Sequence, residues 1–98
     1  MPLTKPVTKP VTRTLTICNA KGLHARASAR FVETVESFDA TATVRRDGQA
    51  VAGDSIMGLL LLAAAQGATI DVTTDGAEAD VLMAALDALI ANRFGEER

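Results

Sequence analysis

Tryptophan and tyrosine are absent from the 98 residues, and phenylalanine occurs only three times. A core formed by this chain, which is 48% hydrophobic, must therefore be aliphatic. The same scarcity argues against a nucleic-acid reader that stacks bases on aromatic side chains. Cys18 is the single cysteine. That excludes an internal disulfide and a Cys-rich metal site, and the residue reads as a small buried hydrophobe rather than a nucleophile. His24 is the single histidine, so too few ligands exist to converge on a metal. No metal or cofactor is expected. Long apolar runs are also missing. The longest, "IMGLLLLAAA" from Ile56 to Ala65, falls short of the roughly 20 residues that span a bilayer. The opening "MPLTKPVTKPVT" is polar and proline-broken, unlike a secretory signal. A cytoplasmic protein without membrane insertion is the expectation.

Acidic residues are missing from the first thirty positions, which carry Lys5, Lys9, Arg13, Lys21, Arg26 and Arg30. The remainder holds four basic residues and all twelve acids, for a net charge of −2. Such a separation fits a basic patch that meets an acidic partner, or charges solvated in a tail. All three prolines lie within residues 1–12, in the short repeat "TKPVTKPVT". This segment reads as a disordered or extended arm, and residues 13–98 as one domain.

The pattern of the rest predicts β-α-β-β-α-β-α. "RTLTICN" alternates, with Leu15 and Ile17 on one face. From Ala25 to Ser37 the spacing becomes helical, with Ala25, Ala29, Val32 and Val35 inward beside Phe31 and with Ser28, Arg30, Glu33 and Glu36 outward. "ATATVRR" and "QAVAG" flank Asp47-Gly48, a hairpin turn signal. Asp54 and Ser55 can cap a helix over "IMGLLLLAAA", with Gly67 as its C′ residue. "ATIDVTT" is the fourth strand. Asp75 and Glu78 match a capping box before a last helix, Ala77 to about Asn92, whose inner face is Val81/Leu82, Leu86 and Leu89/Ile90. The fold class is α+β: one sheet, helices on a single face, and a threonine-rich face toward water.

His24 falls at the N-cap of the first helix, whose first N–H groups lack intrahelical partners. Those groups and the helix dipole stabilise an anion there, and Arg26 in the first turn can add a charge-assisted bond. The same positive end disfavours imidazolium and leaves a lone pair free for attack. Capping alone would also account for the residue. No nucleophile elbow accompanies His24, so a hydrolase triad has no support.

"GLHARASARFV" and the later "DSIMGLLLLAAAQGATI" resemble the HPr family, the histidine-containing phosphocarriers of the phosphoenolpyruvate-dependent phosphotransferase system. The resemblance covers about residues 13–92 and implies the family's open-faced sandwich. It implies a carrier within a phosphotransferase system rather than a free-standing enzyme. Enzyme I would phosphorylate His24 at Nδ1, and the phosphoryl group would pass to a IIA-type protein or domain. Arg26 would stabilise the phosphate, with the backbone N–H groups of Ala25 and Arg26. Ser55 resembles the serine modified by HPr kinase/phosphorylase in some bacteria, although capping alone would equally explain it. Arg30, Ile56, Met57 and Leu59 would belong to the docking surface of a monomer. Ala27 stands where the family commonly has proline, and Asp54 where lysine or another residue is frequent. The ending "NRFGEE" resembles alphaproteobacterial or nitrogen-type members, leaving sugar uptake and nitrogen regulation both open. The alternative function is a regulatory binding module acting through the Ser55 surface without obligatory histidine phosphorylation. A small ligand-binding α+β domain lacks any phosphate loop or pocket motif.

Overall fold

The computed structural model describes residues 10–98. The rest of the expected arm lies outside the described residues. Four strands, β1 (Val11–Thr16), β2 (Thr41–Arg46), β3 (Gln49–Ala52) and β4 (Thr69–Asp75), form one antiparallel sheet in the order β1-β4-β2-β3. Helices α1 (Ala25–Glu36), α2 (Ile56–Leu61) and α3 (Ala79–Ala91) complete the predicted order, and a 3-10 turn over Arg93–Gly95 follows. β1 begins two residues inside the expected arm, at Val11, which pairs with Thr74.

Period-two patterning sets the sheet's two faces. Leu15 lies opposite Ile70 and Val44 opposite Val72, and all four are buried. The helices cover these side chains, with α3 packing on β1 and β4 and α1 packing on α2 and α3. The other face is polar. Thr12 and Thr73 meet across strands through their hydroxyls at 2.9 Å, and Thr14 donates to Asp71 at 2.6 Å. Thr74 points inward and is buried, but its hydroxyl donates to the Ala79 carbonyl at 2.8 Å. A buried hydroxyl with such a partner avoids most of the desolvation cost. Asp47 and Gly48 turn the β2-β3 hairpin with φ of 52° and 79°, the positive pair that a type I′ turn needs.

The helices depart from the predicted detail in instructive ways. Ala25 is exposed and Ala29 half-buried, whereas Ala27 and Ser28 are buried. The inner stripe of α1 is thus rotated, and Ser28 tolerates burial because its hydroxyl donates to the Leu23 carbonyl at 3.3 Å. Helix α2 stops at Leu61, not near Gly67. Ala63 adopts φ 50°, and Arg46 donates to the Leu62 carbonyl at 2.9 Å. The early stop lets Leu62 and Ala64 enter the core. Gly67 instead turns the chain into β4, and its N–H bonds to the Ile17 carbonyl at 2.7 Å. The capping box of α3 does not form. Glu78 is the N-cap but makes no side-chain cap bond; its carboxylate accepts the Asp39 N–H at 2.8 Å. Val81 is exposed, and Met83 takes the inward position.

Candidate functional site

The loop before α1 is held from below by main-chain bonds. Asn19 and Gly22 form a tight turn, the Leu23 N–H donates to the Ala64 carbonyl at 2.8 Å, and the His24 N–H donates to the Gly22 carbonyl at 2.9 Å. Gly22 is required twice over. Its φ is 67°, and a Cβ there would sit 2.6 Å from the Ala64 carbonyl oxygen. Leu23 plugs into the core, so His24 emerges at a fixed point.

His24 is the N-cap of α1, with extended backbone angles. Its Nδ1 accepts the Arg26 N–H at 3.3 Å, a long bond. A nitrogen that accepts carries no proton, so this contact assigns the proton to Nε2. Nε2 faces the Glu96 carboxylate. The second Glu96 oxygen accepts from the Asn19 amide at 3.0 Å, and that amide also donates to the Gly22 carbonyl at 2.8 Å. Hydrogen bonding from Asn19, then from His24, holds the Glu96 carboxyl below its ordinary value of 4.5. The side chains of His24 and Glu96 are 27% and 17% exposed, so the pair is shielded but reachable.

Glu96 reaches His24 because the tail folds back. Phe94 is fully buried, the Arg30 guanidinium donates to its carbonyl, and the Ala20 N–H donates to the Arg98 carbonyl at 3.0 Å. Neither Glu96 nor Asn19 stands out in the sequence as a site residue. The available signal is Phe94, one apolar residue inside a polar tail after a helix.

An open cavity of about 800 Å³ lies over this arrangement, lined by Lys21, His24, Arg26, Arg30 and Glu96 among others. Three of the six early basic residues therefore meet at one place, and Ala25 lines it as well. Such a cavity can receive an anion at the helix start. Arg30 is half-buried and committed to Phe94 rather than freely projecting.

Ser55 is the N-cap of α2, and its hydroxyl accepts the Gly58 N–H at 3.0 Å. Ile56 and Met57 are exposed as expected, but Leu59 is not. Leu59 is fully buried in the core because it lies on the inner side of this short helix; Leu61, 65% exposed, stands on the surface instead. Among the described residues no group of three or more His, Cys, Asp or Glu could hold a metal ion, and no helix is long and apolar enough to cross a membrane. Cys18 is exposed rather than buried, because it follows inward-facing Ile17 and points the other way, with its thiol directed at the Ile90 carbonyl.

Comparison with known proteins agrees with this geometry. A family model described as the PTS HPr component phosphorylation site matches residues 11–92. Phosphocarrier protein HPr of Xylella fastidiosa is 46% identical over 83 residues, covering 85% of this chain and 93% of the relative. Phosphocarrier protein NPr of Shewanella violacea is 37% identical over 82 residues, covering 84% and 90%. The crystal structure of HPr-C-His from Thermoanaerobacter tengcongensis superposes with a TM-score of 0.85 at 36% identity, covering 90% of this chain and 99% of that one. With sheet order, helix placement and sequence in agreement, the chain belongs to the HPr family of phosphocarrier proteins of the phosphotransferase system.

Proposed function

We propose that this chain carries a phosphoryl group on Nδ1 of His24, taken from phospho-enzyme I and given to a histidine of a IIA-type protein. The observation that carries this reading is the N-cap geometry: Nδ1 bears a lone pair and lies beside the first N–H groups of α1. The 3.3 Å bond to Arg26 is weak enough to give up as Nδ1 attacks phosphorus. The released N–H of Arg26, with that of Ala25, can then turn to the phosphate oxygens, and the Arg26 guanidinium adds charge. An open cavity suits a carrier, since donor and acceptor proteins must both reach the same nitrogen. The transfer is reversible because one helix start and one arginine hold the phosphate without enclosing it. The protein acts as a soluble cytoplasmic monomer. Similarity to an NPr supports a place in the nitrogen-regulatory branch.

Incubation with phosphoenolpyruvate and enzyme I tests this reading. Intact mass should show one acid-labile phosphate on the wild type and none on His24→Ala. Wild type that gains no phosphate sinks the carrier reading.

A regulatory role at Ser55 is the second reading. It is favoured by the exposed apolar surface beside the hydroxyl, where Met57 is 70% exposed and Ile56 and Leu61 accompany it. HPr kinase/phosphorylase with ATP should then place an acid-stable phosphate on the wild type but not on Ser55→Ala; phosphate on that variant removes the assignment.

A further inference from the structure

The residue of the site with no role so far is Glu96. It touches His24 at Nε2, on the side of the ring away from Nδ1, so it does not obstruct attack. The placement is built rather than incidental. Buried Asn19 binds the second carboxylate oxygen, buried Phe94 anchors the preceding turn, and Arg30 clamps that turn through the Phe94 carbonyl. The contact joins residues 72 positions apart in the chain.

We infer that Glu96 is a positioning residue for phosphoryl transfer: it fixes the His24 proton on Nε2, leaves the lone pair on Nδ1, and faces the positive charge the ring acquires. This rests on the carrier reading above. In the step, the Nδ1 lone pair forms a bond to phosphorus of a phosphohistidine donor protein. The donor's P–N bond breaks, and its electron pair returns to the donor's imidazole. The His24 proton stays on Nε2. The ring of His24 then carries a positive charge that was absent before, and the Glu96 carboxylate lies against it. A carboxylate that orients an imidazole and meets its developing charge plays the part of the acid in a serine-protease triad. The attack is on phosphorus here, and no proton leaves the ring. Because the pair is partly exposed, the effect belongs at the low end for a charged hydrogen bond.

Two variants separate positioning from charge. Glu96→Gln keeps an acceptor oxygen and removes the charge; Glu96→Ala removes both. Rates of phosphoryl acceptance from phospho-enzyme I should fall about tenfold for Glu96→Ala and by a smaller factor for Glu96→Gln, with the fold retained by circular dichroism. The imidazole ¹⁵N–¹H spectrum gives a readout that a merely structural role would not move. Wild type should show a protected, downfield Nε2–H and an unprotonated Nδ1. Glu96→Ala should lose the protected signal, and Glu96→Gln should keep it at reduced downfield shift. Wild-type rates together with an unchanged ring spectrum in Glu96→Ala would overturn the inference. Should wild type itself accept no phosphate, the carrier reading fails and takes the transfer role with it. The ring spectra then decide the Nε2 assignment alone.

Discussion

Two helix starts in this protein use one device for different ends. At α1 and at α2 an extended residue caps the helix, and its side chain accepts a backbone N–H: His24 from Arg26 at 3.3 Å, Ser55 from Gly58 at 3.0 Å. The surroundings diverge. Around His24 stand Lys21, Arg26 and Arg30, with Glu96 behind the ring. Beside Ser55 stand Asp54 and exposed apolar side chains. A cap by itself only satisfies a donor. On the proposed reading, the basic cavity and a carboxylate partner make the first of the two a nucleophile on offer, whereas the second holds a tight serine cap on a helix of six residues.

The sharpest way to break the comparison is to make the two caps alike. His24→Ser should abolish transfer of acid-labile phosphate, whereas stability in urea should stay within about 0.5 kcal/mol of wild type or rise, since serine is a good N-cap. A large loss of stability would mean that the histidine is structural. Next in size is Gly22→Ala. Positive φ and overlap with the Ala64 carbonyl should cost about 2 kcal/mol by the same denaturation and should also slow transfer, because His24 hangs from this turn. Ser55→Ala should cost about 1 kcal/mol and leave transfer through His24 within roughly twofold, which separates the two starts functionally.

A pH titration sharpens the contrast further. The Glu96 carboxyl titrates below 4.5 in the folded protein. Its contacts therefore stabilise the fold fully above the unfolded value and cease to do so as pH falls through the lower, folded value. Carbon-13 spectra should show that depressed midpoint in wild type, moving back toward 4.5 in Asn19→Ala, since the Asn19 amide is the largest cause. The smallest effect is expected for Ala27→Pro. Proline in the first turn removes only an N–H that lacks an intrahelical partner, so transfer should persist within about twofold. Loss of transfer would show that the buried Ala27 site cannot take the ring.

Alternation and turn signals made the sheet legible: Leu15 and Ile17 face inward as patterned, and Asp47-Gly48 turns the hairpin. The start of α1 is equally plain, because helical spacing begins directly after a polar cap at His24. What escaped the pattern shares a cause. Ser28 is buried because a carbonyl from outside its helix is within reach, and Leu59 because the short α2 turns that side chain onto the core. Glu96 and Asn19 meet His24 through tertiary folding of the tail, with no periodic spacing that could announce it. Local periodicity reports which way a side chain could point; it is silent on which distant partner makes that direction affordable.

The cavity over His24 has a kinetic corollary. On the proposed reading, two proteins cannot engage one Nδ1 together, so donor and acceptor must take turns at the same opening. The carrier is then a shuttle obeying ping-pong kinetics, with parallel double-reciprocal plots and no ternary complex. Each partner inhibits the other when present in excess. Its throughput is governed by how quickly each partner lets go, and a surface refined for tighter grip on either one would slow the whole relay.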